Sequence, residues 1–437
     1  MKGYLKIFTY GCQMNDLDSQ KLYSLLFKSG WIPTESTSEA DLIIINTCSV
    51  RQKAYEKAMS NIGRLKKNKS RKNSLIIGVI GCAAQQEGKD LIERFAHVDF
   101  VLGTHRLHSI PSIVDEVFLK KKTHVVDTGF STYIPSMDII PVPDFIQPPH
   151  RAYINIMQGC NNYCSYCIVP FVRGPEISRD YRGILDEVKL HVSRGVKEIF
   201  LLGQNVNSYN GGVTFHELLG MINEVEGIER IRFTTSHPKD MSDELIESFS
   251  RLAKLCPHVH LPFQSGSDRV LRYMNRHYTS EHYLGLIEKL RSKRKDIAFS
   301  SDVMVGFPLE EEADFEKTLD LIKRVRFDVL FSFKYSPRPG TSASRMPDHV
   351  PPEEKKRRLS ILQKIQKRIT QENLERWVGH IVEVLVDGTS KRDNSQVFGR
   401  TGQNVIVNFP GSPDLIGKSV SVRITRANPN TLTGEIA

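Results

Sequence analysis

Gly159-Cys160-Asn161-Asn162-Tyr163-Cys164-Ser165-Tyr166-Cys167 is the stretch from which the rest of the chain can be read. Its cysteines have CxxxCxxC spacing and directly follow Tyr153–Met157, a run of strand length and strand composition. Three thiolates on a four-iron cluster leave one iron without a protein ligand. That iron can chelate the amino and carboxylate groups of S-adenosylmethionine. An electron from the reduced cluster then cleaves a carbon–sulfur bond of the sulfonium and releases a 5′-deoxyadenosyl radical. Zinc is the alternative use of such thiols, but it needs a fourth ligand, and no matching Cys or His pair lies nearby. A site at the carboxyl end of a strand also suits a barrel of parallel strands, whose loops carry the chemistry at that end.

Downstream, strand-length runs recur at Glu198–Leu202, Arg230–Thr234, Val259–Leu261, Ala298–Val305 and Val329–Phe333, with helical segments such as His282–Lys293 and Glu311–Arg324 between them. Together with Tyr153–Met157 they predict a partial (βα)6 barrel within an α/β protein. Upstream, Leu5–Thr9, Leu42–Asn46 and Leu75–Ile80 alternate with helical stretches near Asp18–Lys28, Lys53–Lys66 and Lys89–Arg94, the pattern of a parallel α/β sheet with right-handed crossovers. Between these regions, residues 133–149 hold five prolines, which forbid a long helix and mark a linker. A charged helical stretch, Glu353–Arg376, leads to a tail with short strands at His380–Val386, Val405–Phe409 and Ser419–Thr425 and turn pairs at Asp387-Gly388 and Thr401-Gly402. That tail reads as a small antiparallel β-barrel of an RNA-binding kind. The expected division is a sheet domain over 1–120, a Pro-rich linker over 121–150, a barrel core over 151–376 and a small barrel over 377–437.

The other cysteines are spread out but share a setting. Cys12 follows Leu5–Thr9, Cys48 follows Leu42–Asn46 and Cys82 follows Leu75–Ile80. Each stands just past the carboxyl end of a parallel strand, where open α/β sheets place their sites, so the three converge and can hold a second cluster. A single cysteine there would read as a small buried hydrophobe. Cys256, in Leu255-Cys256-Pro257, has no partner pattern and reads that way.

The chain has 437 residues, 40% hydrophobic and 25% charged, and a net charge of +10, which suits an anionic partner. Two basic runs, Arg64–Lys72 and Lys355–Arg358, are dense enough to contact phosphates; the alternative is a solvated helix end. Lys6 interrupts the apolar start of the chain, and no apolar run reaches membrane-spanning length. The expectations are a cytoplasmic monomer, no membrane association and thiols without disulfides.

At these residues the chain resembles the radical S-adenosylmethionine methylthiotransferases, and within them the tRNA 2-methylthio-N6-dimethylallyladenosine synthases. The segments that carry the resemblance are Thr9-Tyr10-Gly11-Cys12-Gln13-Met14-Asn15, Cys48-Ser49-Val50-Arg51, Leu202-Gly203-Gln204-Asn205-Val206-Asn207, His260-Leu261-Pro262-Phe263-Gln264-Ser265-Gly266-Ser267 and Tyr335-Ser336-Pro337-Arg338-Pro339-Gly340-Thr341. The resemblance covers nearly the whole chain. It implies a methylthiotransferase domain, a radical core and a C-terminal TRAM domain that binds RNA. It also implies two [4Fe–4S] clusters, one on Cys160, Cys164 and Cys167 and an auxiliary one on Cys12, Cys48 and Cys82. Two molecules of S-adenosylmethionine would be used, one as methyl donor and one as radical source acting at C2 of the adenine ring. The tRNA, an electron donor and a sulfur source would be the partners. Relatives acting on threonylcarbamoyl-adenosine or on a ribosomal protein differ at the Cys12 and Cys48 motifs. A non-catalytic iron–sulfur RNA-binding regulator is the alternative from another class, and it would need no open iron.

Several further residues are candidates for the cosubstrate. Gly203, Gln204 and Asn205 end the second barrel strand and can hydrogen-bond it, or can form a plain polar turn. Ser236, in Thr235-Ser236-His237-Pro238, and Gln264 end the next two strands. His237 and His260 read as core or rim histidines. Asp302 lies inside a strand and needs a partner, a ribose hydroxyl or an arginine. Arg173 and Arg179 follow the cysteine loop as candidates for a carboxylate or phosphate, with a surface salt bridge as the alternative.

Overall fold

A computed structural model of the chain describes residues 2–131, 150–390, 393 and 395–437. The Pro-rich run at 133–149 lies outside the described residues.

The first unit is a six-stranded, wholly parallel sheet of β1 (Gly3–Tyr10), β2 (Trp31–Pro33), β3 (Leu42–Thr47), β4 (Ile76–Ile80), β5 (Phe100–Leu102) and β6 (Val125–Asp127), in the order β2-β1-β3-β4-β5-β6. The central strands β3 and β4 are buried along their whole length, which is why they read as unbroken Ile-rich runs. Helices α1 (Gln13–Lys28), α2 (Gln52–Arg71) and α3 (Cys82–Glu87) follow β1, β3 and β4. Two hydrophobic clusters, one around Trp31 and Ile44 and one around Ile43 and Ile77, fill the two faces. Because β6 pairs with β5, the sheet extends past residue 120, where the linker was expected to begin. The three-residue strands β2, β5 and β6 are too short to show a period in sequence.

The barrel core is an arc of six parallel strands in two ladders. One joins β7 (Arg151–Asn155), β10 (Glu198–Leu202) and β11 (Arg230–Phe233). The other joins β12 (His258–His260), β13 (Ala298–Val305) and β14 (Val329–Lys334). The first strand begins two residues earlier than the sequence suggests. Met157–Gln158 (β8) leaves the barrel to pair antiparallel with Ile177–Ser178 (β9). Alternate residues such as Ile154, Ile199, Leu201, Ile231, Val303 and Val305 face the surrounding helices in one large core.

The tail is a closed five-stranded barrel, β15 (Ile381–Thr389), β16 (Gln396–Arg400), β17 (Ile406–Pro410), β18 (Ser419–Ala427) and β19 (Leu432–Ile436), in the order β15-β16-β17-β19-β18. It is antiparallel except where β17 and β19 pair parallel to close it. The sequence reading lacks β16 and β19, whose glycines, Gly399 and Gly434, interrupt the apolar alternation. Trp377 packs into this barrel's core.

The small barrel docks on the amino-terminal ends of β7, β10 and β11 through buried charges. Glu198, fully buried, receives Arg151 Nε and Arg232 Nε, each at 2.6 Å. Arg151 also reaches Asp387 at 2.7 Å, and Arg232 donates to the carbonyls of Thr401 and Gly402. A buried charge without its partner is strongly unfavourable, so the two barrels depend on each other. Three of the four residues of the Lys355–Arg358 run are held in short ion pairs within the chain, while Lys356 is exposed, 3.9 Å from Glu353. Lys355 pairs with Asp348, Arg357 with Glu312 and Glu354, and the buried Arg358 with Glu310 at 2.7 Å. In the Arg64–Lys72 run, Lys69 and Lys72 pair with Asp99 and Asp41, while Arg64, Lys66, Lys67 and Arg71 stay exposed.

Candidate active site

The loop Cys160–Cys167 springs from β8 at the carboxyl end of the barrel. Gly159, at φ +82°, makes the entry turn; a Cβ there would lie 1.9 Å from the carbonyl oxygen of Pro175. Its N–H donates to Gln204 Oε1 at 2.6 Å, so Gln204 holds the loop's backbone. The loop is pinned on its other side by Ser165, whose N–H reaches Met274 O and whose hydroxyl reaches Tyr273 O, and by Asn275 Nδ2 to Tyr163 O. The adjacent Arg276, buried and absent from the sequence reading, donates from Nη1 to Cys164 Sγ at 3.3 Å and from Nη2 to Pro262 O at 2.8 Å. Burial raises the thiols of Cys160 and Cys167, the latter to about 12, so an added positive charge is what would stabilise their thiolates.

Cys12, Cys48 and Cys82 end three neighbouring strands, β1, β3 and β4, in one sheet. Cys12 is also the N-cap of α1, tied there by Asn15, whose amide bonds Asn46 Oδ1 at 2.9 Å across the sheet. The neighbouring thiol of Cys48, then the charge of Arg173, holds Cys12 down at about 6, and Cys12, together with burial, pushes Cys48 up. Burial raises Cys82. Among the described residues no three His, Cys, Asp or Glu side chains are grouped as the ligands of one metal ion would be.

Arg173 reaches from the segment after the loop to the dispersed triplet. It lies six positions past Cys167, yet its Nε donates to Cys82 Sγ at 3.4 Å and its Nη2 pairs with Asp18 at 2.8 Å, all buried. The helix Val169–Arg173 packs on α3, and Ile168 and Val172 cluster with Cys82. The surface salt bridge allowed by the sequence is thus an interior one. Arg179 is likewise committed, to Glu187 at 2.7 Å and to the Asn155 carbonyl at 2.6 Å.

Both triplets are flanked by buried polar atoms without partners among the described residues. Near Cys48 these are Thr47 Oγ1 and Ser49 Oγ, with Arg173 Nη1 beside Cys82. At the barrel mouth they are Asn205 Oδ1, Ser236 Oγ and His237 Nε2. Buried polar groups of this kind take a water, an ion or a ligand as partner, so the residues present are compatible with polar groups bound at both places. Burial, then Arg276, depresses His237 to about 2, leaving it a neutral ring. Thr235 at φ +70° and Gln264 at φ +63° hold strained backbone at the same rim. Gly203 sits under Met157, with no room for a side chain. Asp302 pairs with no arginine among the described residues; its carboxylate faces His260 Nε2 at 3.5 Å. Cys256 is buried, apart from both triplets.

Comparison with known proteins matches three successive family models: "Uncharacterized protein family UPF0004" at residues 4–103, "Radical SAM superfamily" at 154–322 and "TRAM domain" at 375–437. A tRNA-2-methylthio-N(6)-dimethylallyladenosine synthase of Syntrophus aciditrophicus is 48% identical over 439 residues, covering 100% of this chain and 95% of its own. The enzyme of that name from Geobacter metallireducens is 49% identical over 437 residues, covering 99% and 98%. Among solved structures, the radical S-adenosylmethionine methyltransferase TsrM from Kitasatospora setae shares the fold, with a TM-score of 0.58 at 12% identity over 78% of this chain and 75% of that one. With full-length identity of this order to several synthases and a thiol triplet on each of the two α/β units, the chain belongs to the tRNA-2-methylthio-N(6)-dimethylallyladenosine synthase family.

Proposed function

We propose that the protein adds a methylthio group at C2 of N6-(dimethylallyl)adenosine near the anticodon of tRNA, using one S-adenosylmethionine as methyl donor and another as radical source. The observation that carries this reading is the 48% identity, over the full length, to synthases of that name. Cys160, Cys164 and Cys167 would hold one [4Fe–4S] cluster and Cys12, Cys48 and Cys82 the other. When bound, these groups supply the electron that cleaves the sulfonium and the sulfur that receives the methyl group.

The chain's own residues do the positioning. Arg276 places its positive charge beside Cys164 and ties the loop to Pro262. Gln204 fixes the loop entry through Gly159. Asn205, Ser236 and Gln264 line the mouth and would bind polar groups of S-adenosylmethionine, with the unpartnered Asn205 Oδ1 and Ser236 Oγ as the nearest free acceptors. Arg173 places a positive charge beside Cys82 and Cys12. Met14 and Leu17 of α1 cover Phe200 and Leu202, keeping water from that half of the barrel. Phosphate contacts fall to exposed basic residues, Arg423 and Arg426 on β18 and Arg64, Lys66 and Lys67 on α2. No helix among the described residues is long and apolar enough to cross a membrane.

Mass spectrometry of tRNA nucleosides from a strain lacking the gene tests this reading. N6-(dimethylallyl)adenosine should accumulate without its methylthio form, and the wild-type gene, but not one encoding Cys12→Ala, should restore the product. An unchanged methylthio level, or loss confined to the threonylcarbamoyl nucleoside or to a ribosomal protein, would overturn it.

A further inference from the structure

We propose that the open half of the barrel lumen is the pocket for the apolar N6 substituent of the substrate base, and that Phe331 and Phe333 on β14 determine the specificity for it. This rests on the reading just given, and it adds the residues that recognise the substrate.

The side-chain period of β14 makes the case. Leu330 packs into the main core, and Ser332 Oγ accepts from Gln363 Nε2 at 3.2 Å on the helix Pro352–Glu375, so these two point outward. Val329, Phe331 and Phe333 therefore point into the lumen, at 45%, 49% and 45% exposure. The ring of Phe331 meets His260 at 6.0 Å between centroids, which places it among the lumen residues of β12 and β13. The opposite side of the same lumen is closed: Phe200 and Leu202 on β10 are 8% and 1% exposed beneath Met14 and Leu17. Among the described residues nothing comparable covers β14. Three large apolar side chains on one edge strand, facing the lumen, are costly to leave wet and mark a binding surface.

The surroundings of the stripe point to one occupant. The stripe is continuous with the mouth of the candidate active site: Phe333 pairs in register with Met304, whose N–H donates to the carbonyl of the strained Gln264. From Phe333 to Val329 the wall is about 13 Å deep, at about 3.3 Å per residue, room for an unstacked base and a short chain. Phenyl rings accept stacked bases and aliphatic groups alike. Beside Phe331 the lumen is polar, with His260, Ser300 and Asp302 linked at 3.0 and 3.5 Å, so a ring-edge N–H would have an acceptor. A dimethylallyl group meets this wall without loss. A threonylcarbamoyl group would bring a carboxylate against two phenyl rings and lose its hydration there.

The test is competition binding of the cluster-loaded, full-length protein to tRNA anticodon stem-loops that differ only in whether the adenosine carries a dimethylallyl group. Wild type should prefer the prenylated RNA, and Phe331→Ser with Phe333→Ser should lower that preference roughly tenfold, the usual worth of a lost hydrophobic contact in a pocket. Iron content and circular dichroism report whether the variant is folded. If it is not, Phe333→Leu, which keeps apolar volume, should retain the preference and Phe331→Tyr, which adds a hydroxyl, should reduce it. A folded variant with undiminished preference overturns the pocket. Wild type with no preference and no methylthiolated product overturns the functional reading beneath it.

Discussion

The two cysteine triplets are built in opposite ways. Cys160, Cys164 and Cys167 share one loop, whose shape is fixed by contacts from Gly159, Ser165, Asn275 and Arg276. Cys12, Cys48 and Cys82 are brought together only by the register of β1, β3 and β4. The first is a local device mounted on a barrel. The second exists only when a parallel sheet has formed around it. Damage to the sheet should therefore empty one site and spare the other, and the reverse should hold for damage to the loop.

The largest effect comes from removing the thiols. Protein reconstituted without oxygen should bind about eight irons, and replacing either triplet with Ala should leave about half. Without Cys160, Cys164 and Cys167, reductive cleavage of S-adenosylmethionine should cease. Without Cys12, Cys48 and Cys82 it should continue, with no methylthio product. Saturation of wild type at four irons, or the reverse pairing of losses, would break the comparison.

Gly78→Val attacks only the sheet. Gly78 lies inside β4, and a Cβ there would meet the Phe100 ring at 2.0 Å. Overpacking of this kind costs about 1–3 kcal/mol or more and should splay β4 from β5. About half of the iron should be lost while cleavage of S-adenosylmethionine persists. Loss of both activities together would show that the sheet supports the loop as well as its own thiols.

Two arginines sharpen the contrast. Arg276→Gln should impair the loop site alone, seen as loss of S-adenosylmethionine cleavage with the signal of the other cluster retained in electron paramagnetic resonance. Arg173→Gln should act on the dispersed site although it follows the loop in sequence. It also leaves Asp18 buried without its ion pair, a destabilisation of about 3–5 kcal/mol. If both variants gave the same spectrum, the two sites would not be separable by these contacts.

This difference also sets what could be read from the sequence. The loop announces itself by spacing, and Glu198–Leu202 and Ala298–Val305 have the bounds that alternation and length give them. The dispersed triplet was legible because each cysteine ends an Ile-rich or apolar run. Arg276 was not, because it lies 112 positions from Cys164 and only the barrel brings it back. Arg173 looked like a ligand for a free anion, since nothing local shows that Asp18 and Cys82 will meet it. The run Lys355–Arg358 looked like a phosphate patch for the same reason: charge density is visible in sequence, but its partners Glu310, Glu312 and Asp348 are assigned by packing. The structure also recasts the tail. Truncation at Arg376 would strip Asp387 and the carbonyls of Thr401 and Gly402 from Arg151 and Arg232, so charge reversals at Arg423 and Arg426 are the cleaner way to weaken RNA binding.

The smallest effect concerns the seam that sets one triplet against the other. Lys21, on α1 of the sheet unit, is buried and donates to Asn155 Oδ1 at 2.6 Å, at the end of the first barrel strand. Burial, partly countered by Glu187, lowers its pKa from 10.5 to about 8. Between pH 8 and 10.5 the unfolded chain then holds a proton that the folded chain has released. Unfolding takes that proton up, so this group makes stability rise with pH across the window, and below pH 8 its penalty is full and constant. The shift corresponds to a penalty on the order of 3 kcal/mol. Lys21→Met removes the charge but also the bond to Asn155, worth about 1 kcal/mol. The variant should be the more stable protein at pH 7, and its advantage should shrink steadily above pH 8. Urea unfolding of both proteins at several pH values, without oxygen, measures the difference. The same variant should turn over more slowly at pH 7 with full iron content, because the anchor between the two thiol-bearing units is gone. A stability difference that stays flat with pH would show that Lys21 remains charged in the fold, neutralised by Asp18 and Glu187. The seam would then be an ion cluster and not a desolvated hydrogen bond.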